Sequence, residues 1–299
     1  MISSMIAKET ISTDLVLACS ICGSAQIQKL DPEFNFCCCR SCGYVFDSPR
    51  PSFVEISAFY SQAGKYDTWL KEERARDMLW MRRLKKILQS GATGRLLDIG
   101  GGYGQFLHHA RFFFSQVAGT EISASAAAIA KEKYGLALLA GQIEDLDLPP
   151  QSFDTITLFH VLEHVPDPGK LISCCHTLLR AQGTLILAVP NDVLAWTSKI
   201  KKVGKKLGLR SFQKFSPKLG ISRAGASREI HLSHFTPPVL CRLLENCGLQ
   251  VTEESLDPYY VSRGIRLFLD NAYYAAHRAL YAVLKTNRYD TIWMVARKP

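Results

Sequence analysis

The chain has 299 residues, of which 47% are hydrophobic and 21% are charged, and its formal net charge is +9. This length and composition are ordinary for a soluble globular protein that buries one core and carries a small accessory module. No segment approaches the roughly 20 apolar residues of a membrane-spanning helix, and the N-terminus lacks the basic start and long apolar run of a secretory signal. We therefore expect a cytoplasmic protein.

Cysteine is concentrated in the first predicted module, residues 1–50. Two matching Cys-x2-Cys-Gly motifs, at residues 19–22 and 39–42, are separated by sixteen residues. A disulfide framework is typical of small secreted domains, whereas two such motifs in a long chain without an export signal supply the four thiolates of a structural zinc site. Buried free thiols are the alternative, but they leave the matching motifs unexplained. We predict a zinc ribbon whose metal ligands are Cys19, Cys22, Cys39 and Cys42.

Residues 51–90 are predicted to form a helical connector. Two helical stretches fall at residues 55–61 and 67–89, and in the second one apolar residues recur near helical spacing. This apolar face is formed by Trp69, Met78, Met81, Leu84 and Leu88. We expect it to pack against the rest of the protein while the charged residues between them stay solvated.

Residues 91–299 show strands and helices in alternation. Strands are predicted at 96–99, 116–120, 136–140, 155–159, 184–189, 250–254 and 291–296, and helices at 106–114, 124–134, 171–179 and 237–246. Such alternation is typical of a parallel sheet that helices cover on both faces. The predicted fold class is therefore α/β, a doubly wound, Rossmann-like, seven-stranded sheet preceded by the small zinc ribbon. We expect the amphipathic stretch at 261–284 to pack on this sheet rather than to face a membrane.

The first of these strands runs into a glycine-rich turn, Leu-Leu-Asp-Ile-Gly-Gly-Gly-Tyr-Gly at residues 96–104. In a doubly wound sheet, ligands bind at the carboxyl ends of the strands, where glycine lets the backbone approach them closely. A dinucleotide fingerprint requires glycine at the position of Gln105, and a carboxylate at Asp98 repels a pyrophosphate. The order of residues therefore indicates a cationic cofactor and disfavours a nicotinamide-dependent dehydrogenase. A turn that binds no ligand is the plainer alternative.

Two further strand ends carry related signals. Glu121 follows the second strand, where a carboxylate can accept hydrogen bonds from both ribose hydroxyls of an adenosine. Gln142 and Ile143 follow the third strand, in the sequence Gly-Gln-Ile-Glu-Asp. Three correctly spaced positions at successive strand ends are stronger evidence for an adenosyl cofactor than the glycine turn alone.

A resemblance to class I S-adenosylmethionine-dependent methyltransferases is carried by these three motifs, by Phe-His-Val-Leu-Glu-His-Val-Pro-Asp-Pro at residues 159–168, and by the stretch 229–236. The chain is similar to quinone-biosynthesis methyltransferases, and closer still to C-methyltransferases of deoxysugar pathways, which have an N-terminal zinc-binding region. The resemblance spans nearly the whole chain and implies S-adenosylmethionine as the cofactor. The residues that it implies for cofactor binding are Asp98, Gly100, Gly102, Gly104, Glu121, Ile122, Gln142, Ile143 and Phe159. The family often has Asp at the position of Gln142.

Methyl transfer from a sulfonium is an in-line displacement, and an acceptor that is a hydroxyl, amine or acidic carbon also needs a base. His160, at the end of the fourth strand, is the best-placed candidate base because a neutral imidazole accepts a proton near pH 7, and His231 is the second candidate. The alternative is that His160 only lines the pocket. A divalent-metal site is a further alternative, since His160, Glu163 and His164 lie on one helical face and His231 can join them.

Positive charge is concentrated in a predicted basic lid, the insertion at residues 192–230. Within it, residues 199–228 contain ten Lys or Arg side chains and no Asp or Glu. Apolar residues recur there at helical spacing, namely Val193, Trp196, Ile200, Val203 and Leu207. This pattern is typical of a helix that binds an anionic membrane surface or another anionic partner. A solvated lid helix is the alternative.

We expect the acceptor to be an anionic small molecule or glycan, with a nucleotide sugar or lipid-linked saccharide favoured, because phosphate groups gain from the field of the basic lid. Peripheral contact with the inner face of the membrane is expected through residues 192–218. The alternatives are an RNA methyltransferase that uses the ribbon and the basic segment, a quinone-precursor methyltransferase at the membrane surface, and a non-catalytic scaffold.

Overall fold

The computed structural model describes residues 12–30, 35–62, 67–195 and 230–299. Its N-terminal part contains the short strands β1 (Thr13–Asp14), β2 (Ile27–Lys29), β3 (Phe36–Cys39), β4 (Val45–Asp47) and β5 (Arg50–Pro51). β2, β3 and β4 form an antiparallel sheet, and β1 pairs separately with β5. One cysteine motif precedes β2, and the other begins at the end of β3 and forms the turn to β4.

The connector contains α1 (Phe53–Tyr60), α2 (Asp67–Lys71) and α3 (Glu73–Gln89). α1 begins where the Ser52 side chain accepts a hydrogen bond from the Glu55 N–H. The single helix predicted over 67–89 is interrupted after α2, and the buried face of α3 differs from the predicted one. Met81 is exposed, whereas Arg76 and Arg83 are buried. The predicted buried face was wrong at these positions because each guanidinium has a partner in the folded chain. Arg76 lies over the Trp69 ring and Arg83 pairs with Asp257, and a pattern of apolar residues reveals neither contact.

The main domain alternates strands and helices. Its strands are β6 (Arg95–Ile99), β7 (Gln116–Glu121), β8 (Leu139–Ala140), β9 (Phe153–Phe159), β10 (Leu179–Pro190), β11 (Ser233–His234), β12 (Gln250–Ser255) and β13 (Thr291–Arg297). Its helices are α4 (Gln105–Ala110), α5 (Ala124–Tyr134), α6 (Pro168–Leu178), α7 (Pro237–Asn246) and α8 (Gly264–Leu284), and a short 3-10 turn spans Ile143–Asp145.

Seven of these strands form one sheet in the order β12-β13-β10-β9-β6-β7-β8. The pairs from β10 to β8 are parallel, and β13 runs antiparallel to both β10 and β12. The predicted seven-stranded α/β fold is therefore confirmed. Because β12 runs in the same direction as β10, the carboxyl ends of every strand except β13 meet at one edge, which we call the carboxyl edge. Ligands bind at this edge in doubly wound sheets.

Local signals explain several of these bounds. α5 occupies the predicted residues because the Ser123 side chain caps its first turn and Gly135 takes the left-handed conformation at its end. β8 is shorter than the strand predicted at 136–140. The Leu136 N–H still bonds to the Ala130 carbonyl and so closes α5, and only the last two residues of the predicted strand pair with β7.

The ribbon is joined to the main domain through a shared sheet. β11 pairs with β4, which makes the ribbon sheet four-stranded in the order β11-β4-β3-β2. Tyr44 and Phe46 of the ribbon belong to the same hydrophobic cluster as Phe235 and Leu243 of the main domain. The Tyr44 ring stacks on Phe235 with 5.8 Å between ring centroids. The ribbon and the main domain therefore share hydrogen bonds as well as a core.

α8 connects β12 to β13 and packs through only one of its faces. The Tyr274 hydroxyl donates to the Leu256 carbonyl at 3.2 Å, and the Tyr281 hydroxyl donates to the Glu254 carbonyl at 2.9 Å. The opposite face is exposed, and the described contacts of α8 are with the end of β12 and with Tyr260 and Tyr289, rather than with the face of the sheet on which packing was expected. Within the described ranges, no helix is long and apolar enough to cross a membrane. Residues 196–229, most of the predicted basic lid, lie outside the described residues.

Candidate active site

The glycine turn, residues 100–104, connects β6 to α4 in the middle of the carboxyl edge. Gly100 has a φ of +71°, and a Cβ at this position would lie 2.4 Å from Cγ2 of Val161. Gly102 also has a positive φ, of +56°. Side chains at these two positions are therefore disfavoured by backbone conformation, and at Gly100 a Cβ is also excluded by space. The turn brings bare backbone to the edge at which a ligand can approach.

Glu121, the last residue of β7, is tied to the glycine turn. One carboxylate oxygen accepts the Gly102 N–H at 2.8 Å, and the other accepts the Ser123 N–H at 2.8 Å. Burial raises the pKa of Glu121, and these N–H groups oppose that rise. Each oxygen keeps a second lone pair, so the carboxylate can accept two more hydrogen bonds from a diol.

Asp98 lies within β6, two residues before the turn, and it is buried. Its Oδ1 atom accepts the Thr157 hydroxyl at 2.7 Å. Burial raises the pKa of Asp98 to about 7, although the Thr157 hydrogen bond and the charge of Arg83 act in the opposite direction. A carboxyl group with a pKa raised by burial is ionised more easily beside a cation. The neighbourhood of Asp98 and Glu121 therefore suits a positively charged ligand.

Three more of the predicted cofactor residues, Ile122, Gln142 and Ile143, lie next to Glu121 or beyond it along the same edge. The Gly141 N–H donates to the Glu121 carbonyl at 3.1 Å, which holds the end of β8 beside the end of β7. Ile143 is buried, while Gln142 and Ile122 are partly exposed. The structure thus brings these three predicted residues together with Glu121, and their contact with a cofactor stays a prediction.

Phe159 lies deeper in the core than the other predicted cofactor residues. Its ring centroid is 5.2 Å from that of Phe106 and 5.7 Å from that of Trp293. The Arg83 guanidinium lies 4.6 Å from the centroid of the Phe159 ring. The Phe159 ring therefore packs in the core beneath the carboxyl edge, and this packing role is independent of any direct contact with a ligand.

Two residues of the connector that were not predicted as site residues lie over the glycine turn. A Cβ at Gly102 would lie 3.5 Å from Cζ3 of Trp69. The Arg76 guanidinium lies 3.9 Å from the centroid of the Trp69 ring, and its buried Nε has no hydrogen-bond partner within the described part of the chain. A buried cation beside the turn is suited to bind the carboxylate of an amino-acid ligand.

His160, the first residue after β9, combines an unusual backbone with two acidic partners. Its φ of +57° is rare for a residue other than glycine and is typical of strained functional positions. Its Nδ1 lies 3.2 Å from Oε1 of Glu163, and its Nε2 lies 3.8 Å from Oδ2 of Asp257. Burial lowers the pKa of His160, but the two carboxylates outweigh burial and raise it. The imidazole is therefore a stronger base than a free histidine.

Asp257 is also held by Arg83. Arg83 donates from Nε to Oδ1 of Asp257 at 3.0 Å and from its terminal nitrogen to Oδ2, and both side chains are fully buried. Burial raises the pKa of Asp257, but Arg83 and His160 outweigh burial and lower it well below its usual range. The Tyr259 ring centroid lies 4.4 Å from that of His160. His160 is thus enclosed by residues from α3, from the end of β9 and from the segment after β12.

The second predicted base, His231, lies in a separate group of histidines at the same edge. Its Nδ1 is 3.1 Å from Oδ2 of Asp192, and Nδ1 of His234 is 3.3 Å from the same oxygen. Nε2 of His234 in turn lies 3.5 Å from Oδ1 of Asp47 on the ribbon strand β4. A line of ionisable groups therefore runs from the ribbon to the carboxyl edge through β11.

The predicted alternative of a divalent-metal site has a partial geometric counterpart. Ligand atoms of Glu163, His164 and His231 lie within 4.8 Å of one another. His160 does not belong to this group, since it lies between Glu163 and Asp257. Because Glu163 faces both groups, it separates the environment of His160 from that of His231.

The four ribbon cysteines form a compact cluster. Sγ of Cys19 is 3.5 Å from Sγ of Cys42, and Sγ of Cys22 is 3.5 Å from Sγ of Cys39. All four sulfur atoms lie within 4.8 Å of one another. Burial raises the pKa of Cys39, but the N–H groups of Cys42 and Ser41 outweigh burial and bring it to about 7. Four sulfurs about 3.8 Å apart surround a tetrahedral zinc with bonds of about 2.3 Å, so this cluster fits that ion.

Sequence reasoning grouped Glu163 with His160 but missed the other residues around His160, namely Asp257, Arg83 and Tyr259. Asp257 follows the end of β12 just as Glu121 ends β7, so the rule that acids at the carboxyl edge face the ligand site would have found it. For Arg76 and Arg83, the signal that could have found them is a positively charged residue on a helix face that is otherwise buried. Tyr259 gave no sequence signal that distinguishes it from a surface aromatic residue.

Comparisons with known proteins agree on the family. A family model described as a methyltransferase domain matches residues 71–254, more than half of the chain. The ubiquinone biosynthesis O-methyltransferase of Xanthomonas euvesicatoria is 29% identical over 171 residues, 55% of this chain and 66% of that protein. The one of Pasteurella multocida is 32% identical over 138 residues, 38% and 55% of the two chains. An uncharacterized protein of Methanocaldococcus jannaschii is 28% identical over 134 residues, 45% of this chain and 62% of its own length. The chain thus spans less than two thirds of these relatives.

Solved structures share the fold at low sequence identity. A SAM-dependent methyltransferase from Thermotoga maritima superposes with a TM-score of 0.50 at 18% identity, over 82% of this chain and 99% of that one. A candidate methyltransferase from Haloferax volcanii, solved with the Trm112 methyltransferase activator, gives a TM-score of 0.52 at 14% identity, over 82% and 98% of the two chains. These similarities show the fold alone.

The family match covers the glycine turn, Glu121 and the sequence around His160. The chain therefore belongs to the class I S-adenosylmethionine-dependent methyltransferases.

Proposed function

We propose that this protein transfers a methyl group from S-adenosylmethionine to a hydroxyl of an anionic small molecule or glycan, with His160 as the base. The observation that carries the proposal is the position of His160 at the carboxyl edge, on a strained backbone between two carboxylates. It lies beside a second acidic region, Asp98 and Glu121, which suits a cationic adenosyl cofactor. The names of the ubiquinone biosynthesis relatives support oxygen as the accepting atom.

The chain's own residues divide the work between cofactor and acceptor. When bound, S-adenosylmethionine supplies an electrophilic methyl group on a positively charged sulfur. Glu121, whose orientation the N–H groups of Gly102 and Ser123 fix, would accept hydrogen bonds from the ribose hydroxyls. The buried carboxyl of Asp98 would balance positive charge, and the Arg76 guanidinium would pair with the carboxylate of the methionine part. These residues would orient the cofactor for in-line transfer.

His160 takes the acceptor proton on its imidazole, whose Nε2 is buried 3.8 Å from Oδ2 of Asp257 and makes no hydrogen bond among the described residues. The imidazolium that forms is stabilised by Glu163 at Nδ1 and by Asp257 near Nε2, because each carboxylate is buried and already oriented. The Arg83 side chain keeps Asp257 ionised and in place. Loss of this proton makes the acceptor oxygen a stronger nucleophile.

The anionic nature of the acceptor rests on charge. Ten Lys or Arg side chains in residues 199–228 follow the carboxyl end of β10, and phosphate-bearing acceptors gain from such a field. A nucleotide sugar or a lipid-linked saccharide meets this condition. A phenolic quinone precursor is the second candidate, and the relatives named ubiquinone biosynthesis O-methyltransferase favour it.

A divalent metal at Glu163, His164 and His231 is a second candidate mechanism, favoured by the closeness of their ligand atoms. A metal at this position would polarise the acceptor hydroxyl and lower its pKa, so that His160 would be needed less. Activity that is unchanged after dialysis against EDTA, and that is insensitive to added Mg²⁺ or Mn²⁺, favours the metal-free mechanism. Loss of activity that is restored by one of these ions favours the metal.

We also propose that the cysteine cluster holds a structural zinc ion, which would keep β3 and β4 in the conformation that pairs with β11. Cys19, Cys22, Cys39 and Cys42 use all four positions of a tetrahedral ion, so no position is left for a substrate. Elemental analysis of the purified protein should give one zinc per chain. A Cys22→Ser variant should lose that zinc and melt at a lower temperature.

The test of the proposed function has two stages. Calorimetry with S-adenosylhomocysteine measures cofactor binding, and a Glu132→Gln variant on the exposed surface of α5 serves as the control for Glu121→Gln. Transfer of a labelled methyl group is then measured with nucleotide sugars, phenolic quinone precursors and RNA. Turnover of a phosphate-bearing saccharide supports the proposal. If only the phenol or only RNA is methylated, the proposed class of acceptor is wrong and that compound class is the acceptor. Absence of any binding of S-adenosylhomocysteine overturns the assignment.

A further inference from the structure

The two faces of α8 differ sharply in their contacts. The inner face carries Tyr273, Tyr274, His277 and Tyr281, which pack on Tyr289 or bond to the backbone around β12. His277 is the only buried residue of this 21-residue helix. The outer face therefore meets solvent along a length of about 30 Å.

The outer face is apolar along this whole length. Its members recur three, four and seven residues apart, as one stripe on a helix requires, and we call them the α8 stripe: Ile265, Phe268, Leu269, Ala272, Ala275, Ala276, Ala279, Ala282 and Val283. Ile265 is 76% exposed, Phe268 67% and Val283 79%. No charged residue interrupts the stripe. Contiguous exposed apolar surface of this kind is typical of a binding face.

Charge around the stripe selects the kind of partner. Residues 263–285 contain four cations and one acid, 4 − 1 = +3. The cations are Arg263, Arg266, Arg278 and Lys285, all of them exposed, and the acid is Asp270. Since the cations flank the stripe, an anionic partner can meet them while it covers the apolar residues. A second copy of this chain would instead bring a second set of the same cations against the first.

We propose that α8 docks the protein on an anionic lipid surface, with the stripe inserted among the acyl chains near the headgroups and the flanking cations at the phosphates. An apolar stripe with basic flanks on a helix too polar to span is the pattern of a helix that lies in the membrane interface. This docking site is separate in sequence from residues 192–218, the part of the basic lid through which membrane contact was expected, and it does not depend on the identity of the acceptor.

The position of α8 gives the docking a consequence for the active site. α8 begins at Gly264, a few residues after Asp257 and Tyr259, which lie beside His160. The Tyr260 ring, between them and α8, contacts Tyr274 at 6.0 Å, and the Tyr260 hydroxyl donates to Asn271 at 2.5 Å. Because β12 ends and the antiparallel β13 begins at the carboxyl edge, both ends of α8 lie at the edge that carries the candidate base, and a lipid-linked acceptor can reach the site from a surface bound to α8.

Vesicle co-sedimentation tests the proposal with the full-length protein. We compare vesicles of phosphatidylcholine alone with vesicles made of equal parts phosphatidylcholine and phosphatidylglycerol. Wild type should bind the mixed vesicles much more strongly. The triple variant Ile265→Ser, Phe268→Ser, Leu269→Ser should lose at least about tenfold of that binding, because three large apolar side chains no longer insert.

A matched control removes the same number of exposed apolar side chains elsewhere. The variant Leu17→Ser, Val54→Ser, Phe112→Ser changes residues that are 73%, 75% and 72% exposed, and it should bind the mixed vesicles like wild type. Both variants should keep the melting temperature and the affinity for S-adenosylhomocysteine. Undiminished vesicle binding by the α8 variant, equal binding of wild type to both kinds of vesicle, or no binding at all overturns the proposal.

Two further measurements keep the result interpretable. A Phe268→Trp variant should gain fluorescence that brominated phosphatidylglycerol quenches, and lack of quenching contradicts insertion even if the triple variant fails to fold. Analytical ultracentrifugation tests whether a second copy of this chain covers the α8 stripe instead. A wild-type dimer that the triple variant converts to monomer, without vesicle binding, would mean that a second copy covers the stripe and would overturn the lipid assignment.

Discussion

The two halves of the carboxyl edge are built in different ways. The cofactor half consists of the glycine turn, Asp98 and Glu121, which lie within 30 residues of one another on adjacent parallel strands. The acceptor half, around His160, is assembled from α3, the end of β9 and the segment after β12, so that Arg83 and Asp257 meet across 174 positions of sequence. A site made by neighbouring strand ends can be inferred from local motifs, whereas a site made by long-range ion pairs cannot.

This comparison predicts that variants in the two halves fail in different assays. Substitutions around His160 should reduce turnover and spare cofactor affinity, and substitutions at Glu121 should do the reverse.

The largest effect is expected at His160. A His160→Asn variant keeps a polar side chain whose first atoms match those of histidine, but it removes the base. The value of kcat should therefore fall by about 10²–10⁴-fold. Affinity for S-adenosylhomocysteine, measured by calorimetry, should stay within about twofold of wild type, because His160 lies on the acceptor side. A His231→Asn variant is the comparison that tests which histidine is the base. An unchanged kcat in His160→Asn together with a large loss in His231→Asn would transfer the role of base to His231.

The next largest effect concerns stability. Arg83→Met should lower the free energy of unfolding by about 3–5 kcal/mol, because it leaves the buried Asp257 carboxylate without its cation. Denaturant unfolding of this variant, with Arg74→Met on the exposed side of α3 as the control, measures the difference. Asp257 has a lowered pKa, so the pair stabilises the protein above the unfolded pKa of about 4 and loses that contribution as the pH falls further.

A double variant sharpens the stability test. Arg83→Met with Asp257→Leu removes both charges, and it should recover much of the lost stability because no uncompensated charge remains. Equal destabilisation in the single and double variants would mean that the packing of Arg83 against Phe159, rather than its ion pair, stabilises this region.

A smaller loss is expected in the cofactor half. Glu121→Gln keeps the shape of the side chain but weakens its hydrogen bonds to a diol, and the Kd for S-adenosylhomocysteine should rise about 10- to 100-fold. The exposed Glu132→Gln should leave that Kd unchanged. If Glu121→Gln bound the cofactor like wild type, the ribose would have to be held elsewhere on the edge.

The smallest effect is a shift in the pH profile. Glu163 and Asp257 raise the pKa of His160, so removing the Glu163 charge in Glu163→Gln should lower that pKa. His160 acts as a base in its neutral form, and the rise of kcat with pH should therefore move to lower pH. Glu132→Gln should show the wild-type profile. A profile that stays in place after Glu163→Gln would argue that the titrating group is another residue.

Several elements could be predicted to the residue. α5 and α7 have the predicted bounds because local signals end them, such as Ser123 and Gly135 for α5 and two prolines at the start of α7. The two connector arginines were misjudged for the opposite reason. Arg83 is buried because its partner, Asp257, lies on another strand end, and the periodicity of α3 carries no information about that partner. α8 was assigned to the sheet because amphipathicity predicts one packed face but does not say what meets the other.

The amino-acid sequence by itself determined the order of strands and helices, the class of fold and family, and the four-cysteine cluster as a predicted metal site. Hydrophobic periodicity, capping residues and closely spaced motifs involve residues that are near one another in the chain, so they can be recognised from the sequence alone. Only the tertiary structure decided that β11 joins the ribbon to the main domain, that His160 lies between Glu163 and Asp257, and that the α8 stripe is exposed. Each of these depends on which distant segments fold against one another, since hydrogen bonds, ion pairs and burial are set by position in space.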